Sequence, residues 1–358
     1  MIELDGSFLE GGGQIIRTAC SLSALTGIPF HISNIRGGRE EPGLKSQHLA
    51  CVNGVASQCN AEVQGAALGS TDLKFIPGRL HFSSMNLDIG TAGSVTLLLQ
   101  AMLPIAIFSD KKLHIKVTGG TDVANSPGID YFINVFLPHI KRFADVEIEI
   151  QRRGYYPAGQ GIVVLRVSPK YSMASFESFA YFHEYLLSER IRFNIGLKGS
   201  LVSICGISHA SKELLNREVA ERQAKSARYA LGGKNAPLFI ETIYSETSSP
   251  GSVVSLWAKY SLKETFDGSE TISSGAGHLG ERNMKAEDVG RLAAESLLKT
   301  IRQNSMLDEH LADQLLIYLA LAGGTIRVPK KTSHLKTNIE IINRFFGKIK
   351  IKGNEIRS

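Results

Sequence analysis

A pattern of helix, strand, loop, helix and strand occurs three times in the 358-residue chain and constrains its fold more than any other feature. The first two copies begin with glycine-rich segments, and each has a Pro-Gly pair before its second helix, at Pro42-Gly43 and at Pro127-Gly128. The C-terminal copy runs from HLADQL through the loop PKKTS to KIKI. Repeated units of this kind bury their apolar faces by packing together. The sequence therefore predicts an α/β fold built from three repeated αβ units in pseudo-threefold packing.

Residues 180–275 interrupt this pattern. The strand-like runs RIRFNIGL and SLVSICGI open the segment, and a helix rich in Glu, Lys and Arg is predicted from Ser211 to about Leu231. A charged helix face is most simply a solvated face. We therefore predict a large domain made of residues 1–179 and 276–358, with a small αβ domain, residues 180–275, inserted into it.

The composition excludes several classes of protein. Hydrophobic residues make up 43% of the chain, which is enough for a packed core. No run approaches the roughly 18 apolar residues that a membrane helix needs, and the opening MIELDGSFLEGGG lacks the basic and apolar regions of a secretory signal. The four cysteines are isolated and have no zinc-ligand spacing. The chain is predicted to be cytoplasmic, with no membrane partner.

The positive charge of the chain is unevenly distributed. The formal net charge is +6, yet residues 326–358 contain nine Lys or Arg and two Glu, a net of +7, so the rest sums to −1. A basic end beside a neutral body favours an anionic partner such as nucleic acid or a nucleotide. Lysines that keep a protein soluble would explain the same excess equally well.

Two glycine-rich segments carry charged side chains. Glu10-Gly11-Gly12-Gly13-Gln14, followed by Arg17, opens a predicted helix, where backbone N–H groups can bind an anion. The segment matches neither the P-loop nor the dinucleotide-binding pattern, and a simple strand-to-helix turn is equally open. Arg36-Gly37-Gly38-Arg39 brings two guanidiniums close together, and arginine suits bidentate phosphate contacts. Surface arginines are common, so this segment alone leaves phosphate binding open.

Four polar residues stand out from their surroundings. Asp313 and Gln100 lie in apolar helical runs, where a polar side chain is costly unless it has a partner or faces a site. Asp122 follows a Gly-Gly pair, where it could bind metal, although capping of a turn is favoured. His334 lies in KKTSHLKTN; it could be a surface residue, a helix-start residue or a nucleophile. Nearby cations lower the pKa of an imidazole and keep it neutral and nucleophilic.

Seven motifs in order resemble the RNA 3'-terminal phosphate cyclase family, and they span nearly the whole chain except the insertion. They are LDGSFLEGGGQIIRTA, IRGGREEPGLKSQHL, GTAGSVTLLLQ, GGTD, RGYYPAGQG, HLADQL and SHLKTN. The resemblance implies three repeats like the C-terminal domain of translation initiation factor three, together with a thioredoxin-like insertion. Both features agree with the repeat and its interruption.

The resemblance also implies an enzyme of the ligase type. It would use ATP to convert an RNA 3'-phosphate to a 2',3'-cyclic phosphate, through a covalent histidine–AMP intermediate and an RNA(3')pp(5')A intermediate, with release of AMP and pyrophosphate. The expected partners are ATP and RNA with a 3'-terminal phosphate, and the expected cofactor is a divalent metal, Mg or Mn.

The same resemblance assigns roles to individual residues. His334 matches the nucleophile. Positions expected to bind ATP are Gln100, Pro127, Tyr131, Asp313 and His334. Positions expected to hold the RNA terminal phosphate are Arg17, Arg36, Arg39 and Gln47. The expected metal ligands are Glu10 and Asp313.

The chain departs from the family pattern at two places. Gln160 replaces the middle glycine of the family's YPxGGG motif, so the local loop geometry is expected to differ if that glycine needs a positive φ. His310 stands where an aromatic residue often precedes the aspartate of the HLAD-type motif. An alternative function is a non-catalytic, cyclase-like RNA-binding factor in ribosome assembly, which the intact SHLKTN motif disfavours. A phosphorylated-metabolite enzyme related to enolpyruvyl transferases lacks its signature motifs here.

Overall fold

The computed structural model describes residues 1–196, 198–233, 236–261 and 271–358. The strands are β1 (Ile2–Asp5), β2 (Phe30–Ser33), β3 (Glu62–Gln64), β4 (Leu73–Ile76), β5 (Met85–Asp88), β6 (Leu113–Gly119), β7 (Ala144–Arg152), β8 (Gly161–Pro169), β9 (Phe193–Ile195), β10 (Ser200–Ser211), β11 (Leu238–Ser245), β12 (Ser252–Ser261), β13 (Thr271–Leu279), β14 (Gly324–Arg327), β15 (Lys350–Lys352) and β16 (Glu355–Arg357). The α-helices are α1 (Gln14–Thr26), α2 (Ser46–Cys59), α3 (Val95–Ala106), α4 (Ile129–Tyr131), α5 (Leu137–Ile140), α6 (Phe179–Ser188), α7 (Val219–Leu231), α8 (Ala286–Arg302), α9 (Glu309–Gln314), α10 (Leu316–Ala322) and α11 (Ser333–Phe345).

Three of the sheets share one topology. Their strand orders are β1-β2-β4-β3, β5-β6-β8-β7 and β9-β14-β16-β15. In each sheet the first pair of strands is parallel and the next two pairs are antiparallel. The predicted mixed α/β class is confirmed, whereas the likeness of these units to initiation factor three stays a prediction.

The fourth sheet has the order β11-β10-β12-β13, and its strands lie between β9 and β14 along the chain. Sequence analysis placed the run RIRFNIGL in the inserted segment, but β9, which comes from that run, pairs in parallel with β14. The reason is burial: Phe193 is fully buried and its ring lies against Phe143, while the Arg142 guanidinium stacks over it. The division of the chain into two domains, and the thioredoxin-like character of the insertion, stay predictions.

Helix α1 is central to the core because it packs against α2, α3 and α11. Most of its side chains are buried, and the helix ends at Gly27, whose left-handed backbone closes the last turn. Two polar contacts fix its neighbours: the Ser21 hydroxyl donates to the Ala101 carbonyl of α3 over 2.7 Å, and the Thr18 hydroxyl donates to Asn338 Oδ1 of α11 over 2.9 Å. The first turns of α1 and α11 are thereby brought together. None of the described helices is both long and apolar enough to cross a bilayer.

Candidate active site

Larger residues in the glycine-rich segment before α1 would displace side chains that lie against it. A Cβ on Gly12 would lie 2.2 Å from Glu10 Oε1, and a Cβ on Gly13 would lie 2.0 Å from His48 Nε2. Gly11 has a φ of +56° and its carbonyl accepts from the Gly38 amide over 3.2 Å. The three glycines therefore let a carboxylate, an imidazole and the 36–39 loop converge at the start of α1.

Glu10 is the buried acid of this site. Its side chain is 6% exposed, and its Oε1 forms an ion pair with Arg39 and lies 3.7 Å from His334 Nε2. Within the described residues, its buried Oε2 has no hydrogen-bond partner. The Glu10 amide donates to the Thr337 hydroxyl over 3.4 Å, which ties the loop to α11.

His334 lies in the first turn of α11, which Thr332 caps by accepting a hydrogen bond from the Leu335 amide. Its imidazole is 54% exposed, and its Nδ1 lies 3.1 Å from Gln14 Oε1. Burial lowers the pKa of His334; Asp313 opposes this shift, whereas Arg39 and Arg17 add to it. The neutral imidazole, which keeps a lone pair for attack, is therefore favoured at neutral pH.

Asp313 anchors the amides next to His334. Its Oδ2 accepts from Gln14 Nε2 over 2.6 Å, and its Oδ1 accepts from Asn338 Nδ2 over 3.2 Å. Burial raises the pKa of Asp313, and the hydrogen bond from Gln14 opposes that shift. The polar residue that the sequence flagged as costly in an apolar helix thus has partners on two other helices.

The residues present allow a test of the expected divalent metal. Among the described residues, no group of three or more His, Cys, Asp or Glu side chains could hold an ion. The unpartnered, buried Oε2 of Glu10 suits a cation, whereas both carboxylate oxygens of Asp313 already accept hydrogen bonds from amides. Mg²⁺ is commonly held by one or two carboxylates and substrate phosphates, so Glu10 fits such a site better than Asp313 does.

Cationic and donor groups surround the start of α1. The Arg17 guanidinium has no hydrogen bond or ion pair to any residue that the structure describes, and burial lowers its pKa. Burial also lowers the pKa of His48 to about 3, so this imidazole is neutral. Its Nδ1 accepts from the Lys45 amide over 3.2 Å, which leaves Nε2 as an N–H donor beside Gly13. These groups suit a bound phosphate.

Two of the residues expected to hold phosphate also make structural contacts. Arg36 donates through Nη1 to the carbonyls of Glu41 and Gly43, at 2.7 and 2.9 Å, and burial lowers its pKa. Gln47 Oε1 accepts from the Ser94 amide over 3.1 Å, at the start of α3. Both side chains hold backbone groups in place, and Gln47 keeps its NH₂ group for another contact.

The residues expected near the nucleotide lie farther along α3 and α4. Tyr131 is 7% exposed; its hydroxyl donates to Asp308 Oδ1 over 2.7 Å, and its ring packs on Gly275. The half-buried Pro127 accepts from the Thr96 hydroxyl through its carbonyl over 2.7 Å. Gln100 Nε2 is buried and unpartnered within the part of the chain that the structure describes. Of these residues, none has a direct polar contact with His334 among those described.

Asp122 belongs to a buried ion-pair cluster. It contacts Arg153 Nη1 over 3.2 Å and accepts from the Ile129 amide at the start of α4, the kind of capping that the sequence favoured. Arg153 also holds Asp130 through two hydrogen bonds of 2.6 and 2.8 Å. The cluster fixes the loop from Asp122 to the first turn of α4.

The two departures from the family pattern have different consequences. Gln160 adopts a φ of +55°, and its carbonyl accepts from Arg152 Nε over 2.6 Å. The glutamine thus takes the positive φ that a glycine would adopt freely, so at this residue the glycine-like backbone is kept. His310 is exposed and is one of the groups whose electrostatic interaction lowers the pKa of His334.

Gln160→Gly is expected to stabilise the protein by roughly 0.5–1 kcal/mol, because the left-handed backbone costs a non-glycine residue roughly 1–2 kcal/mol and glycine's extra chain entropy offsets part of the gain. Urea unfolding would measure the change. Gln151→Gly, at an exposed position of β7, is the matched control and should lower stability. A change of the same sign in the free energy of unfolding of both variants would contradict this explanation.

The sequence assigned no role to Gln14 or Asn338, two residues that complete the site together with His48. Gln14 contacts both His334 and Asp313, Asn338 contacts Asp313, and His48 lies against the glycine-rich loop. Asn338 follows His334 by four residues, and this spacing alone places both on one face of α11. Gln14 ends the glycine-rich run but carries no comparable signal.

Comparison with known proteins identifies the family. The family model for RNA 3'-terminal phosphate cyclase matches residues 8–352. A protein of that name from Pyrococcus furiosus is 40% identical over 355 residues, which cover 99% of this chain and 96% of the relative. Proteins of the same name from Archaeoglobus fulgidus and Methanopyrus kandleri are 41% and 42% identical; each match covers 99% of this chain, and 99% and 96% of the respective relatives. The chain belongs to the RNA 3'-terminal phosphate cyclase family.

Proposed function

We propose that this protein is an ATP-dependent RNA 3'-terminal phosphate cyclase, which converts an RNA 3'-phosphate to a 2',3'-cyclic phosphodiester. The observation that carries the proposal is the position of His334. Its half-exposed imidazole lies at the first turn of α11, beside the acid Glu10 and the basic Arg39, and is anchored on its other side by Gln14. A neutral, accessible nucleophile among cationic groups suits attack on a nucleotide phosphate.

The reaction divides one difficult substitution into three easier ones. In the first, an imidazole nitrogen of His334 attacks the α-phosphorus of ATP; a phosphoramidate N–P bond forms, and the bond to the bridging oxygen breaks to release pyrophosphate. In the second, an oxygen of the RNA 3'-phosphate attacks that phosphorus and displaces the imidazole, which gives RNA(3')pp(5')A. In the third, the 2'-hydroxyl gives its proton to solvent and its oxygen attacks the phosphorus bonded to the RNA 3'-oxygen; the bond from that phosphorus to the bridging oxygen breaks, and AMP leaves.

The charged side chains of the site support these three reaction steps. Arg17 is the candidate for the RNA terminal phosphate, since its guanidinium forms no hydrogen bond or close ion pair among the described residues, and only the more distant charges of Cys51 and Asp313 raise its pKa. Arg39 would have to exchange Glu10 for phosphate, and the exchange would free the Glu10 carboxylate. Arg36 and Gln47 would act mainly by holding the loops that position these groups.

Glu10 is the residue that we assign to the divalent metal, Mg or Mn. When bound, such an ion would offset charge on the triphosphate. Asp313 is assigned instead to orientation of the amides near His334, because its oxygens already accept hydrogen bonds from Gln14 and Asn338. On the nucleotide side, Gln100 and Pro127 remain candidates for direct contact, whereas the buried hydroxyl of Tyr131 is engaged by Asp308. A cytoplasmic location stays a prediction.

A cyclisation assay tests the proposed function. The protein is incubated with ATP, divalent metal and an RNA that carries a labelled 3'-phosphate, and the product is treated with phosphatase. Cyclisation makes the label resistant to phosphatase, and omission of ATP should abolish that resistance. If the label stays sensitive while the protein still binds the RNA, the assembly-factor alternative replaces the enzyme.

A further inference from the structure

A chain of hydrogen bonds runs from His334 into the interior of the protein. His334 Nδ1 faces Gln14 Oε1 at 3.1 Å, and Gln14 Nε2 faces Asp313 Oδ2 at 2.6 Å. Asn338 Nδ2 donates to the other carboxylate oxygen of Asp313 over 3.2 Å, and Asn338 Oδ1 accepts from the Thr18 hydroxyl over 2.9 Å. Three helices, α1, α9 and α11, therefore contribute to one connected network.

The order of donors and acceptors in this series of hydrogen bonds determines which nitrogen of His334 carries the proton. An ionised carboxylate only accepts, so the atom of Gln14 that faces Asp313 has to be its NH₂ group. The remaining oxygen of Gln14 can only accept, so His334 Nδ1 has to carry a proton. A neutral imidazole has one N–H, and Nε2 is then left with the free lone pair.

The surroundings keep this arrangement in place. Gln14 is 8% exposed, and a buried amide that lost either partner would leave a polar group unsatisfied. Asn338 donates to Asp313 on the opposite side through Nδ2, and its own oxygen is taken by Thr18, so two amides present NH₂ groups to one carboxylate. The Nε2 side of the ring lies towards Glu10 and Arg39, where a nucleotide phosphate would be bound.

We propose that Gln14 is a positioning residue, which holds the proton of His334 on Nδ1 so that Nε2 is the atom that attacks the α-phosphorus. This inference rests on the proposed function. The new bond joins Nε2 to phosphorus, the bond to pyrophosphate breaks, and the Nδ1 proton stays in place. The positive charge that develops on the ring is stabilised by the Gln14 carbonyl oxygen, which already accepts from Nδ1.

In the opposite arrangement the Gln14 amide is turned over and the His334 proton is on Nε2. If Asp313 were protonated and donated to the Gln14 oxygen, the amide would be turned over and its NH₂ group would face Nδ1. The imidazole proton would then be on Nε2, and the nitrogen that faces Glu10 would lack a lone pair. The two arrangements differ in which ring nitrogen of His334 carries the proton, and this can be measured without ATP or RNA.

The primary readout is the tautomer of His334. Long-range ¹⁵N–¹H correlation spectra of protein labelled with [¹⁵N]histidine distinguish a ring protonated on Nδ1 from one protonated on Nε2, and His334→Asn assigns the signal by its loss. We expect the Nδ1–H form in the wild type and a shift towards the Nε2–H form in Gln14→Met, which keeps the volume but removes the acceptor. An Nε2–H form in the wild type would overturn the proposal.

The second readout is the rate of adenylylation at saturating ATP. Gln14→Met should lower it by about tenfold, the factor to which 1.4 kcal/mol corresponds, with binding of ATP changed by less than about twofold. Gln58→Met is the matched control, because Gln58 of α2 is also a buried glutamine, it is held by hydrogen bonds with Ser83, and it lies outside the site. An unchanged rate and tautomer in folded Gln14→Met would overturn the proposal. If the wild type forms no His334–AMP, the proposed function fails, while the spectra still decide the proton position.

Discussion

The variant His334→Asn is expected to lose ATP-dependent cyclisation by at least about 10³-fold, yet to close an RNA end that is already activated. The asparagine cannot form the phosphoramidate, so no AMP reaches the RNA. The third step needs only the 2'-hydroxyl, the activated phosphate and the groups that hold it. An RNA supplied as RNA(3')pp(5')A therefore bypasses the missing imidazole.

Two substrates are to be compared in that experiment, an RNA with a 3'-phosphate and the same RNA in the activated form, with the cyclic end as the product measured. The exposed histidine of β6 provides the control, because His114→Asn changes a surface imidazole outside the site and should cyclise both substrates normally. Loss of activity on both substrates in folded His334→Asn would show that the imidazole does more than carry AMP. Normal activity on the 3'-phosphate would contradict the assignment of the nucleophile.

Arg153→Met should cost about 3–5 kcal/mol of stability, the effect expected when a buried ion pair loses one partner. The variant leaves the Asp122 and Asp130 carboxylates, both 1% exposed, without their cation. In the wild type, burial lowers the pKa of Arg153, but the two aspartates outweigh that effect and raise it overall. Urea unfolding would measure the loss.

The pH dependence of this loss has a definite sign. Burial raises the pKa of Asp122 even with Arg153 present, and removal of the guanidinium, which lowers that pKa, raises it further. A carboxyl whose pKa is higher in the folded state takes up a proton on folding, so its destabilisation is largest at high pH and shrinks as the pH falls. The loss in Arg153→Met should thus be smaller at pH 5 than at pH 8. Arg153→Met combined with Asp122→Asn and Asp130→Asn should recover part of it; no recovery would contradict an electrostatic origin.

The predicted mixed α/β class and the predicted family are confirmed, whereas the description of three repeated units and the division into two domains stay predictions. One strand, β9, pairs outside the segment in which the sequence placed it. Strand pairing is non-local: β9 and β14 are separated by the whole of the fourth sheet. Nothing in the local pattern of RIRFNIGL indicates which of two sheets it joins, because burial of Phe193 depends on side chains elsewhere in the chain.

The site was predicted in part. The role that the sequence did not reveal, that of Gln14, depends on contacts between segments far apart along the chain. A single histidine between lysines and an aspartate in an apolar helix are visible as local anomalies, so His334 and Asp313 were named as candidates. Gln14 is 320 positions from His334 and 299 from Asp313, and its role depends on contacts that only the packing of α1 against α11 creates. The expected role of Arg36 in phosphate binding stays a prediction; its Nη1 donates to two carbonyls of its own loop, a contact that the sequence alone does not reveal.

The most direct test of the account is transfer of label from [α-³²P]ATP to the protein in the presence of divalent metal and without RNA. We predict a labelled band that is labile in acid and stable in alkali, as a phosphoramidate is, that is absent from His334→Asn and that disappears when RNA with a 3'-phosphate is added. If folded, nucleotide-free protein acquires no label with either Mg or Mn, or if the label persists in His334→Asn, the covalent histidine mechanism is contradicted.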